Sequence, residues 1–123
     1  VLSMEQLGKI TDRLIDSPSY QRISPVMGNL FFLRARINGY LGNEVQQALD
    51  LHESYRRRNL AYIAKAEAEA WAALGDYQKA LEAIRKAKTN NYLNFYGYQN
   101  KIDTPEYDEW EEALTRAVQK KAN

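Results

Sequence analysis

The stretch Ala61–Ala87, AYIAKAEAEAWAALGDYQKALEAIRKA, decides the fold. Its first half is alanine-rich on several faces, which suits a helix packed on more than one side. Its second half carries Tyr77, Ala80, Leu81, Ile84 and Ala87 at i, i+3, i+4 and i+7 spacing, a single apolar stripe. Between them, Leu74-Gly75-Asp76-Tyr77 reads as a stop and restart. Gly75 supplies the backbone freedom that a tight turn needs, and Asp76 is placed to cap the second helix. Two helices, Leu60–Leu74 and Tyr77 to about Thr89, therefore form an antiparallel pair.

Working outward, the same grammar recurs. Ser24-Pro25 predicts a capped helix start with proline in its first turn, and the run VMGNLFFLRARINGYL carries that helix to Leu41. Gly42-Asn43 closes it. A partner helix follows from about Glu44 to Arg58, with Val45, Ala48, Leu49, His52 and Tyr55 expected on its buried face. Before this pair, Ser3 with Gln6 forms a capping box for a helix over Ser3–Ile15, whose stripe is Met4, Leu7, Ile10 and Leu14; Asp16-Ser17-Pro18-Ser19 ends it. After the second pair, Asn90–Thr104 reads as irregular, with no strand-like alternation. A last helix runs from Thr104-Pro105 to about Lys121, with the stripe Tyr107, Trp110, Leu114, Ala117 and Val118. The class is all-α, with about six helices.

Composition bounds the function. Of 123 residues, 45% are hydrophobic and 27% charged, which suffices for one domain with a modest core. Seventeen basic against 16 acidic side chains leave a net charge of +1, so no nucleic-acid or membrane surface is expected. No stretch approaches the roughly 18 consecutive apolar residues of a membrane span, and no basic-then-apolar leader opens the chain. With no cysteine, thiol catalysis, disulfides and thiolate metal sites are excluded. Because the first residue is Val1 and helical pattern begins at once, the expectation is one domain, 1–123, of a longer chain. Compartment is not legible.

Laying Leu41-Gly42-Asn43 on Leu74-Gly75-Asp76 reveals a period of 33 residues. Ala35 falls on Ala68, and one extra residue after Gly42 brings Ala48 onto Ala80 and His52 onto Ile84. A helix-turn-helix unit of this period resembles the tetratricopeptide repeat. The better match is Ala61–Tyr92: Ala68 is the small residue of the first helix, Trp71 the aromatic after it, Gly75-Asp76-Tyr77 the turn, and Ala80, Ile84 and Ala87 the small, large and small positions of the second helix. The match over Pro25–Arg58 is weaker, since Asn38 replaces the aromatic and Glu44-Val45 blurs the turn. Glu67 stands where the family keeps leucine, and Tyr92 where proline is common. The resemblance implies a TPR-like α-α superhelix of two repeats flanked by capping helices, the first able to serve as the second half of an upstream unit. It also implies a groove lined by the first helices, here Asn29, Phe32 and Arg36 with Tyr62, Lys65 and Glu69, which either takes a peptide or partner helix or is filled by a flanking helix of the same chain.

Other constellations weigh less. His52 lies beside Asp50 and Glu53, but neighbours one and two apart on a helix face apart, so no proton relay forms. No metal, cofactor or catalytic motif is expected. Arg56-Arg57-Arg58 and Arg85-Lys86 sit at helix C-termini, where cations complement the dipole, and Glu53–Arg57 and Glu82–Lys86 are i, i+4 pairs. Carboxylates elsewhere are expected on exposed faces. The aromatic run Tyr92, Phe95, Tyr96 and Tyr98 is a second candidate surface, a ligand platform or a plug for the core. The expected function is a protein–protein interaction module without catalysis of its own, able to self-associate. The alternative is an accessory domain of a larger enzyme or membrane protein, such as a glycan-handling one, that uses the 92–98 run.

Overall fold

The computed structural model describes residues 1–95 and 98–122. They divide into two compact units, Val1–Asn59 and Leu60–Asn123. Both are helical, and the expectation of an all-α chain holds apart from one short hairpin.

The first unit begins with α1 (Met4–Ile15), closed at its start by the capping box. The Ser3 hydroxyl accepts from Gln6 N at 3.2 Å while Ser3 N donates to the Gln6 side chain at 2.8 Å. Pro18 does more than end α1: it opens a one-turn helix, α2 (Pro18–Gln21). The next helix, α3 (Ser24–Tyr40), is capped by Ile23, not by Ser24 as expected. Ser24 instead donates its hydroxyl to the Arg57 carbonyl at 3.2 Å, tying the start of α3 to the end of α4 (Glu44–Arg57).

The second unit is built on α5 (Ala61–Ala73) and α6 (Tyr77–Thr89), with Asp76 accepting from Lys79 N at 3.1 Å as the N-cap of α6. The α6 stripe is buried as expected, through Ala80, Leu81, Ile84 and Ala87, with Ala83 added. Two strands follow, β1 (Tyr92–Phe95) and β2 (Tyr98–Lys101), paired antiparallel with Tyr92 opposite Lys101. This corrects the reading of 90–104 as irregular. Four-residue strands are too short to show alternation; just outside the pair, the Asn91 side chain donates to the Ile102 carbonyl at 2.8 Å and to the Thr104 hydroxyl at 2.7 Å. The unit ends with α7 (Pro105–Ala122), whose Leu114 is buried and whose Tyr107, Trp110, Ala117 and Val118 are half-buried.

The two hairpins close through the same turn. Gly42 and Gly75 both sit at φ +79°, the left-handed region that L side chains avoid. In each, the residue after the glycine reaches back to the fifth carbonyl before it: Asn43 N to Asn38 O at 2.8 Å, and Asp76 N to Trp71 O at 3.0 Å. The glycines themselves bond Gly39 O and Ala72 O. This is the Schellman arrangement, which satisfies carbonyls a helix end leaves open. The small residues the period aligns, Ala35 with Ala68 and Ala48 with Ala80, are all buried.

The buried face of α4 departs from expectation. Ala48 and Tyr55 are inside, but Val45, Leu49 and His52 are exposed, and Asp50, Leu51 and Ser54 take their places. At about 100° per residue the face is turned by roughly a third of a turn. Hydropathy cannot see the reason: Asp50 and Ser54 have partners on α3. The Ser54 hydroxyl donates to the Gly28 carbonyl at 2.7 Å, and Asp50 anchors an ion pair. His52 therefore does not share the environment of Ile84, which is fully buried. In α1 likewise, Thr11 and Ile15 are the buried positions; Leu7, Ile10 and Leu14 are half-buried and Met4 is exposed.

Candidate partner-contact surfaces

Each hairpin hides one carboxylate, contrary to the expectation that the carboxylates lie on exposed faces. In the first unit Asp50, 2% exposed, accepts from Arg34 Nε at 3.1 Å, Arg34 Nη2 at 2.9 Å, Asn38 at 2.9 Å and Gln46 at 2.9 Å. Arg34 also reaches Asp12 of α1 at 3.1 Å and lies over the Phe31 ring. The Asp50 hydrogen bond, opposed by a smaller effect of burial, lifts the Arg34 pKa further above its ordinary value. In the second unit Glu67, also 2% exposed, accepts from the Trp71 indole at 2.9 Å and from Lys86 at 2.9 Å. Lys86 thus pairs across the hairpin with Glu67, where an i, i+4 partner, Glu82, was expected; Glu82 accepts from Gln78 instead. Two of the positions that depart from the repeat pattern, Asn38 and Glu67, are members of these clusters. Both carboxylates are buried with their hydrogen bonds made inside the core, which gives them a structural role.

The groove residues occupy matching places within their own hairpins. On α3, Asn29 and Arg36 are exposed and Phe32 half-buried. Leu33 and Tyr40, 72% exposed, share that strip and were not anticipated, because a sequence stripe does not say which apolar residues a neighbour will cover. Asn29 is engaged by the Arg58 guanidinium. On α5, Tyr62 and Glu69 are exposed, while Lys65 is covered by α7: it bonds Glu69 and Glu106 and lies 4.6 Å from the Trp110 ring centre. Burial pulls the Lys65 ammonium down, but its bonds to Glu69 and Glu106 more than offset this and leave its pKa raised. Glu106 and Trp110 of α7 therefore cover Lys65 on α5.

Of the aromatic run, Tyr92 is 45% exposed and so does not plug the core. Tyr96 lies outside the described residues, and Phe95 and Tyr98 are placed in the paired strands.

Two surface hollows were not legible in the sequence. One, about 500 Å³ on the first unit, is lined by polar groups including Lys9, Asp12, Arg34 and Gln46; the last two are committed to Asp50. The other, about 430 Å³ along α6 and α7, is walled by Tyr77, Trp110, Ala113, Leu114 and Ala117, with Glu109 at its rim. Among the described residues no cluster of three or more His, Asp or Glu side chains is arranged to hold a metal ion, and no helix is long and apolar enough to cross a membrane. No family model matches the chain, and no curated protein matches it.

Proposed function

We propose that this chain is a protein–protein interaction module made of two successive TPR-like repeats, each able to hold a peptide or partner helix against the outer face of its own first helix, α3 in the first unit and α5 in the second. The observation that carries the reading is the repeated hairpin. Two helix pairs close through the same left-handed glycine turn 33 residues apart and bury alanines at corresponding positions. Such units cannot bury all their apolar surface alone, and their exposed first-helix strips serve as contact surfaces. On α3 that strip combines Leu33 and Tyr40 with Arg36 and Asn29, apolar anchors beside polar specificity groups. Tyr62 and Glu69 are the corresponding groups on α5.

Peptides selected from a random display library on the immobilised chain provide the probe. Their fluorescence anisotropy titration should weaken at least tenfold with Arg36→Ala or Tyr62→Ala, and equal affinity for both variants and the parent chain would remove these strips from the reading. An accessory role in a larger enzyme or membrane protein is the second reading, supported by the outward-facing Tyr92; a glycan array bound by the parent chain and not by Tyr92→Ala would favour it.

A further inference from the structure

The two hairpins bury similar apolar residues and opposite charges. Their second helices start at Glu44 and Tyr77, so the 33-residue offset of the glycine turns carries into them with no residue inserted after Gly42. At that offset the buried positions coincide: Ala35 with Ala68, Leu51 with Ile84, Ser54 with Ala87. Arg34 of α3 and Glu67 of α5 then hold the same place with opposite sign. Asn38 and Trp71, four residues on, coincide as well, and each donates to the buried carboxylate of its own hairpin.

The partners on the second helices differ in place as well as in sign. Asp50, 2.9 Å from Arg34, matches the fully buried Ala83; Lys86, 2.9 Å from Glu67, matches Glu53. Pairing α3 with α6 would set Arg34 against Ala83 and Lys86, and Glu82, the sole carboxylate of α6, is exposed. Pairing α5 with α4 would set Glu67 against Asp50 and Glu53, and the α4 cations Arg56 and Arg57 are already bonded to Glu53. Each exchange brings like charges together where the observed pairing brings opposite ones.

We propose that the opposite polarity of these two buried pairs fixes which helices join: α3 takes α4 and α5 takes α6, whether the candidates lie in one chain or in neighbouring copies. Apolar packing makes this choice poorly, because residues of similar size occupy the same places in both hairpins. Repeated units are prone to misassembly in which a helix of one unit pairs with that of another. A charge that meets its opposite only in the correct pairing penalises every other one. A buried ion pair adds little net stability over an apolar pair, so its worth here lies in discrimination.

Refolding the whole chain from urea at high protein concentration tests the proposal, with monomer recovery read by sedimentation velocity and helix content by circular dichroism. Reversing the second pair, by Glu67→Lys with Lys86→Glu, keeps opposite charges within that hairpin. It also gives both first helices a cation and both second helices a carboxylate, so every pairing becomes permissible. Adding Arg34→Glu and Asp50→Arg reverses the first pair too and restores opposite polarity between the hairpins. Reversal of one pair should raise the misassembled fraction about tenfold over the parent, since like-charge contacts no longer oppose exchange. Reversal of both should return most of the monomer. The second variant contains every change in the first, so pairs that act only inside their own hairpins would make it the worse of the two. Recovery with both pairs reversed that is no better than with one reversed overturns the proposal, as does one reversed pair that refolds like the parent.

Discussion

Replacing Arg34 with methionine isolates the energetics of the buried carboxylate in the first unit. Asp50 would keep its bonds from Asn38 and Gln46 but lose two from the guanidinium, at 3.1 and 2.9 Å, along with its counter-charge. At 2% exposure water cannot replace them. Stranding a buried charge in this way costs about 3–5 kcal/mol. The whole chain of 123 residues is expected to be stable by roughly 6–18 kcal/mol, at about 0.05–0.15 kcal/mol per residue. The change therefore removes a large share. With a urea slope of about 1–3 kcal/mol/M, the unfolding midpoint followed by far-UV circular dichroism should fall by about 1 M or more. Asp50→Leu should cost less, about 1–2 kcal/mol, because Arg34, 23% exposed, keeps Asp12 and the Phe31 ring and can turn its freed Nε and Nη2 to solvent, which leaves the Asn38 and Gln46 amides as the groups short of an acceptor. The double variant decides the matter. With the charge gone, losing its partner no longer hurts, so the double should be more stable than the sum of the singles by about 2 kcal/mol. A double variant within about 0.5 kcal/mol of that sum would refute the account of Asp50 as a buried charge held by Arg34.

Two other substitutions probe the turns and the acid limb. Gly42→Ala and Gly75→Ala place a Cβ in open space, since nothing lies within 4 Å, so each should cost only the backbone penalty of about 1–2 kcal/mol in urea denaturation; a cost near zero would mean the left-handed turn is not needed. The bond from Lys88, helped by Arg85 and opposed by burial, holds the Glu111 carboxyl below the usual glutamate range. A depressed carboxylate adds stability that is present above its unfolded value of about 4.3 and is lost as pH falls through the folded value. Glu111→Gln should therefore flatten the acid limb of stability below about pH 4.3, read by the fluorescence of Trp71 and Trp110. An unaltered acid limb would show that the bond is not populated in solution.

Helices, caps and turns were legible because their causes lie within a few residues of their effects. The Ser3–Gln6 box, the Asp76 cap and the two left-handed glycines each depend on neighbours three to five positions away, and each forms as the residues dictate. The alanines at matching places in the two hairpins were equally readable, since only a small side chain lets backbones approach. What the chain pattern could not reveal was which polar residues turn inward. Asp50 and Glu67 look like surface carboxylates until Arg34 and Lys86 arrive from the facing helix, and His52 looks like core until Asp50 and Ser54 rotate α4 away from it. The β1–β2 hairpin escaped because its four-residue strands are too short to show alternation, and Asn91 beside it finds its acceptors 11 and 13 residues downstream. Of the candidate site, Asn29, Arg36, Tyr62 and Glu69 are exposed and Phe32 is half-buried, while Lys65 is covered by Trp110 and Glu106. Local chemistry, acting through short hydrogen bonds and periodicity, set the elements; the pairing of charges distant in sequence, whose burial is favourable only once a partner is present, decided which faces meet and which remain open.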